Sequence, residues 1–416
     1  MPNVLNHGNS VLEEPLAIDG GTRAVTQRFE PWPDYPEDVI AAVASTLRSG
    51  KVNYWTGEEG TKFEAEFAAY CGARYAVAVA NGSVALELAL HALDIGPRDE
   101  VIVPSRTFIA SASCALVCGA TPVFADVDLA SQTLDINSVR RLISPRTKAI
   151  IAVHLAGWPC DMDAILELAR AHSIYVIEDC AQAHGATYKG RRVGGIGDIG
   201  AFSFCQDKII STGGEGGMVV TNNGELWEKM WSYKDHGRDY SLSKAKPGAG
   251  FQWIHNSFGT NFRLTEMQSA IGRMQLRSLD EQLEIRRRHA SVLHERFGKI
   301  RSFRTSVPPP ELQHAYYRYY GFVEPQHLAN GWSRDRILEA IRAEGVPCGV
   351  GSCSEIYLEK AWPPSRPPAQ RLPNARWLGE TSLAFQVHAT LSDKNIQGTC
   401  MAVEKVMHAA THNPYR

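Results

Sequence analysis

Between about residues 60 and 220 the chain alternates short apolar runs with amphipathic stretches of helical length, and few folds accommodate that rhythm. Strands are expected at 75–80, 100–104, 122–127, 149–154, 175–178, 201–204 and 217–221, with helices at 83–93, after Phe108, and at 163–172. Runs that are apolar throughout, rather than at alternate positions, belong to strands buried on both faces. When helices separate such strands, the solution is a mostly parallel α/β sheet covered on either side. At 416 residues the chain exceeds one ordinary core, so a second domain is expected. A helix rich in charge is predicted over 265–297, and beyond it a smaller α/β unit with a helix at 333–344. The expected division is 1–285 for a large domain with its N-terminal segment and 286–416 for a small C-terminal domain. Residues 222–250 are polar and are expected to contain a mobile loop around SLSKAKPGAG. The segment WPPSRPPAQRLP (362–373) reads as a loop because proline fits neither helix interior nor sheet.

Charge removes whole classes of function. Lys and Arg number 43 against 45 Asp and Glu, so the basic excess that nucleic-acid or membrane-surface binding demands is missing. Residues 107–125 carry no charge and are long enough to cross a bilayer, but the Gly-Ala-Thr-Pro turn at 119–122 divides them into a helix and a strand. The first twenty residues lack a basic start and a continuous apolar run, so no signal peptide is expected. Nine cysteines at irregular spacing fit a reducing, cytoplasmic setting better than a disulfide framework. No Cys/His cluster has zinc-ligand spacing, and no metal is expected.

Three features carry chemistry. The strand YVIED ends in Asp179, at the carboxyl edge where open α/β sheets gather ligand groups. The strand AFSF leads through CQD to Lys208, ahead of a Gly-rich turn; in a desolvated site the lysine's pKa can fall and free its amine for Schiff-base chemistry. The strand YAVAVA runs into Asn81-Gly82-Ser83 and a helix, where Gly82 permits close approach, Ser83 can cap, and free amides favour an anion. Two glycine-rich matches fail on context. GIGDIG at 195–200 is followed by a strand where a dinucleotide fingerprint needs a helix, and GGEGG at 213–217 lacks the GK[ST] of a P-loop. Anion cradle, strand-end acid and amine, in that order on one domain, are what pyridoxal 5'-phosphate requires.

The motifs YWTGEEGTKFEAEFA, NGSVALELAL, VPSRTFIASASCAL, GATPVFADVD, HLAGWPCDMD, VIEDCAQAHGA, GDIGAFSFCQDKIISTGGEGGMVVTN and NFRLTEMQSAIG occur in order across residues 31–406. In these the chain resembles the DegT/StrS sugar aminotransferase family, which has the fold of the aspartate aminotransferase superfamily. The resemblance implies that Lys208 is the catalytic Schiff-base lysine, with Asp179 at the pyridine nitrogen and Gln182 near the ring hydroxyl. It implies Gly82, Ser83 and Ser203 at the phosphate, and Phe108 on the ring face. His184 also matches a family position, as a supporting residue. Asn261 lies in a segment that the family donates across a homodimer interface; it or its neighbour Arg263 reaches the partner's phosphate. Some relatives carry His at the lysine position and dehydrate sugars, and Lys208 argues against that chemistry.

The implied reaction moves an amino group from glutamate or glutamine to a keto-sugar, nucleotide-linked by resemblance. Two rivals stand beside it: a free keto-cyclitol acceptor of the scyllo-inosose type, whose branch is similar in YWTGEE and in Pro-Trp-Pro at 31–33, and a cofactor-binding regulatory protein without turnover. The segments GVGSCSEIYLEKAW (349–362) and LAFQVHATL (383–391) depart from the family pattern and are expected to border the acceptor pocket.

Overall fold

The computed structural model describes residues 14–244, 252–362, 368 and 370–411. The strands are β1 (Tyr75–Val79), β2 (Glu100–Pro104), β3 (Thr121–Ala125), β4 (Thr147–Val153), β5 (Tyr175–Asp179), β6 (Thr187–Tyr188), β7 (Arg191–Arg192), β8 (Ile199–Ser203), β9 (Gly217–Thr221), β10 (Phe303–Thr305), β11 (Leu312–Gln313), β12 (Tyr319–Val323), β13 (Cys348–Gly349) and β14 (Ser382–Phe385). Seven form one sheet in the order β1-β9-β8-β5-β4-β2-β3. Only β9 opposes its neighbours; the other pairs are parallel. Successive side chains leave opposite faces, so Ala76 and Ala78 enter one core while Val77 and Val79 enter the other. Both faces are dry, which is why these strands read as continuous apolar runs.

A second sheet, β10-β12-β14-β13, is wholly antiparallel and backs onto the helices Leu279–Phe297, Arg334–Ala343 and Asp393–Ala409. The charge-rich stretch after Thr265 differs from expectation. It forms two helices, Glu266–Arg277 and Leu279–Phe297, parted at Ser278 (φ −93°, ψ 0°), with Asp280 and Glu281 supplying acid for a new first turn. The second helix sends Leu279 and Leu283 into the large-sheet core, and Ala290, Leu293 and Phe297 into the small one. Residue 285 therefore falls inside a helix that both cores share.

The polar stretch 222–250 also holds helix ahead of the expected loop. Asn223 caps the helix Gly224–Lys234, which buries Met230 and Trp231, and Tyr240–Lys244 forms a short helix; the remainder of SLSKAKPGAG lies outside the described residues. Residues 107–125 do split into the helix Ala110–Val117 and β3. Among the described residues no helix is long and apolar enough to cross a membrane.

Beneath the sheet, fully buried Glu178 accepts from the amides of Gly194 (2.8 Å), Ile196 (2.7 Å) and Gly197 (2.7 Å), and lies 3.0 Å from Nε2 of His154. His154 Nδ1 accepts from the amide of Cys160, so Nε2 carries the proton and donates to Glu178. Burial alone would raise this carboxyl, but the donors outweigh it and hold it below the usual carboxylate range. His154, Glu178 and Cys180 lie close enough to ligate a metal. The hydrogen bonds already use both Glu178 oxygens and both His154 nitrogens, so the cluster is a structural tie between β4, β5 and the 194–197 turn. Glu178→Gln is expected to destabilise the fold by about 3 kcal/mol at neutral pH, since amide hydrogens replace an acceptor. A depressed carboxyl contributes above its unfolded pKa and loses that contribution as pH falls through the folded value. The gap between wild type and variant in urea titrations should accordingly close under acid.

Candidate active site

The carboxyl ends of β1, β2, β5 and β8 open into a cavity of about 1130 Å³. At one end the chain leaves β1 and turns at Gly82 into the helix Gly82–Ala92. The cap is Asn81, whose side chain accepts from the Val84 amide at 3.1 Å; Ser83, the residue expected to cap, sits in the first turn. A Cβ on Gly82 would stand 2.5 Å from Cβ of Ser203, so only glycine lets this turn close against the end of β8. Free helix amides at Gly82 and Ser83, beside the Ser203 hydroxyl, suit an anion.

Asp179, 6% exposed, ends β5 and lines the same cavity. Its Oδ2 accepts from the Ser111 hydroxyl at 2.7 Å and its Oδ1 from the Ala181 amide at 3.1 Å. Thr107 extends the chain, with its Oγ1 2.8 Å from Ser111 Oγ. Burial raises the Asp179 carboxyl despite these donors, and a ligand bearing an N–H⁺ would relieve that cost. Gln182 accepts from the Ala156 amide at 2.7 Å, which leaves its amide nitrogen as the remaining donor. Phe108 lines the cavity with 66% of its surface exposed.

Lys208 follows β8 on a pinned loop. Trp32 Nε1 donates to the Lys208 carbonyl at 2.8 Å, and Tyr35 donates to Ser211 Oγ at 3.0 Å while accepting from the Gly213 amide at 3.1 Å. The expected fall of the lysine pKa is reversed. Burial does press it down, but Tyr317 and Asp207 outweigh burial and raise it. His184 is buried between the rings of Phe202 and Phe204; burial, then the charges of Lys208 and Arg286, bring its pKa down to about 3, so it is neutral.

One expected residue stands apart. Asn261 is exposed and outside the cavity, with Oδ1 accepting from the Arg263 amide, while Arg263 forms a 2.5 Å ion pair with Asp235. The two segments that depart from the family pattern do border the cavity, through Gly349, Gly351, Ser352, Cys353, Glu359 and Gln386. Sequence reasoning missed Trp32, Tyr35, Asp207 and Tyr317. The only signal for the first was the Pro-Trp-Pro run, which does not say what the indole bonds to.

A mostly parallel α/β sheet with this cavity at its carboxyl edge, joined to a small antiparallel unit, is the pyridoxal-phosphate-dependent transferase fold of the aspartate aminotransferase type. Within that class the chain belongs to the DegT/DnrJ/EryC1/StrS aminotransferase family, whose model matches residues 33–404. It is 40% identical over 351 residues to a GDP-perosamine synthase of Caulobacter vibrioides, covering 83% of this chain and 89% of that protein. An L-glutamine:2-deoxy-scyllo-inosose aminotransferase of Streptoalloteichus tenebrarius is 36% identical over 340 residues, 80% of each chain. The X-ray structure of an aminotransferase from Psychrobacter cryohalolentis matches with a TM-score of 0.89 at 50% identity, over 93% of this chain and 100% of that one.

Gly82→Ala tests the cradle. The added methyl must displace Ser203, and a stability loss of about 1–3 kcal/mol is expected, with a shifted Ser203 in a crystal structure of the variant.

Proposed function

We propose that the chain is a cytoplasmic, homodimeric aminotransferase that uses pyridoxal phosphate to move an amino group from glutamate or glutamine to the ketone of a nucleotide-linked sugar. The observation that carries this reading is the convergence of Lys208, Asp179 and the Gly82–Ser83–Ser203 cradle on one cavity. The residues fit the cofactor. The cradle that a Cβ would fill accepts a phosphate, and the buried, raised Asp179 carboxyl gains from a cationic partner. When bound, pyridoxal phosphate supplies a carbonyl carbon that carries nitrogen between two substrates and a ring that withdraws electrons. Amides at Gly82 and Ser83 and the Ser203 hydroxyl would donate to the phosphate. Asp179 would accept from the ring N–H⁺, a charge-assisted bond worth about 1.5–3 kcal/mol. Gln182 would donate to the ring hydroxyl and Phe108 would cover a ring face. Lys208 would hold the cofactor through Nζ until the donor amine displaces it, and the freed neutral amine would then take and return the proton at the substrate carbon.

The cavity of about 1130 Å³ has room for the cofactor and an acceptor together, and its wall favours a nucleotide-linked acceptor over a free cyclitol. Arg318 and Arg342 in the wall add positive charge suited to a pyrophosphate. Similarity to the GDP-perosamine synthase supports the same choice. Asn261 is read as a donor to the partner's cofactor phosphate, because Arg263 is tied to Asp235. Support for a dimer comes from Phe258, 99% exposed on the same segment, where a second copy would cover it.

An absorbance titration with glutamate and glutamine is the direct test. A band near the visible edge should be lost on adding the donor and restored by a nucleotide keto-sugar. Lys208→Ala should lower transamination by at least about 10²–10⁴-fold. Restoration by a cyclitol ketone alone would move the reading to the rival acceptor, and a band that no donor changes would favour a protein without turnover. For the shared site, mixing Lys208→Ala with Asn261→Ala should yield hybrid dimers with one intact site. Activity no higher than that of the separate variants would count against sharing.

A further inference from the structure

Lys208 is not alone at the end of its loop. Its Nζ lies 3.2 Å from Oδ1 of Asp207 and 5.1 Å from the centre of the Tyr317 ring. The Tyr317 hydroxyl donates to the other oxygen of the same carboxylate, Oδ2. Tyr317 is 9% exposed and the Lys208 side chain 17%, while Asp207, 46% exposed, closes the group on its solvent side. Tyr317 enters from the turn before β12 and Asp207 from the lysine loop itself. The function proposed above gives neither residue a task.

We propose that Asp207, oriented by Tyr317, is the counter-ion that keeps the Lys208 amine protonated and localised in the cofactor-free protein. The surroundings make such a partner necessary. Arg318 stacks on Tyr317 at 5.0 Å, and Arg286 is buried close by; both are cations that oppose a further positive charge. His184 is neutral, Cys205 is a thiol, and Asp179 accepts from Ser111 and Ala181, whereas the ion pair of Lys208 is with Asp207. Burial raises the Tyr317 phenol above its ordinary range, so at neutral pH it donates a proton and bears no charge. Asp207 is held below the usual carboxylate range, in spite of burial, by Lys208 and Tyr317, and is the anion that Lys208 meets. Losing that anion should make the amine give up its proton at lower pH.

The inference rests on the aminotransferase reading for its purpose, but its test does not need turnover. In the full-length protein stripped of cofactor, Lys208 would be labelled with acetic anhydride across a pH series and its acetylation read by mass spectrometry. Asp207→Asn should lower the midpoint by about one pH unit or more, and Asp207→Glu should restore it. Tyr317→Phe should lower it by a smaller amount, because the freed carboxylate turns to water. A midpoint unchanged or raised in Asp207→Asn would overturn the counter-ion, and one unchanged in Tyr317→Phe would overturn the orienting role. Circular dichroism checks the fold of each variant, and if Asp207→Asn does not fold, Tyr317→Phe alone decides. A chain that bound no pyridoxal phosphate would still give these midpoints, so the two readings fail separately.

Discussion

Everything at the site depends on how closely backbone approaches backbone where β1, β9 and β8 end together. A Cβ on Gly82 would meet Ser203 at 2.5 Å, and one on Gly217 would meet the Asn81 carbonyl oxygen at 2.5 Å. Two glycines thus let three strand ends gather without side chains between them. The helix that starts at Gly82 then directs its free amides at a spot beside a hydroxyl from β8. Asp179, on β5, keeps its distance from that spot through the parallel register of β5 with β8, where it pairs with Ala201. The geometry that suits a phosphorylated ring is a property of the sheet, and the loops only complete it.

The sheet was legible in sequence because its strands are dry on both faces, and continuous apolar runs such as EVIVP and GMVVT state that directly. The strand ends were legible too: Asp179 closes β5, and Lys208 lies on the loop that follows β8. Pairwise electrostatics was not. That the Lys208 ammonium is stabilised depends on Tyr317, more than a hundred residues away in sequence, meeting Asp207. The helix break at Ser278 escaped because no proline or glycine marks it; the signal is only a serine ahead of two acids. Gly224–Lys234 escaped for another reason, since its apolar face is carried by Trp and Met within a polar composition. Asn261 lies outside the cavity of its own chain, and the role expected of it rests only on the family pattern.

Residues near the start of the chain act far from their place in sequence. Trp32 and Tyr35 tie down the loop at the Lys208 carbonyl, the Ser211 hydroxyl and the Gly213 amide, and Thr390 donates to the Pro31 carbonyl. Further upstream, the amides of Ala17 and Ala24 bond to Glu344, which is also paired with buried Lys405. The N-terminal segment therefore straps the small unit to the lysine loop. This connection fixes the lysine's main chain while leaving its long side chain to the Asp207 carboxylate.

The cavity draws its two ends from different sheets. Anchoring groups come from the strand ends of the large sheet, whereas Cys348, Gly349, Ala384 and Gln386 come from the edge of the small one. A substitution along β13 or after β14 can reshape what the far wall accepts while leaving the register of β1, β5 and β8 intact. The fold thus sets the wall on one sheet and the strand ends on another, so inherited changes can accumulate in the wall without disturbing the strand ends.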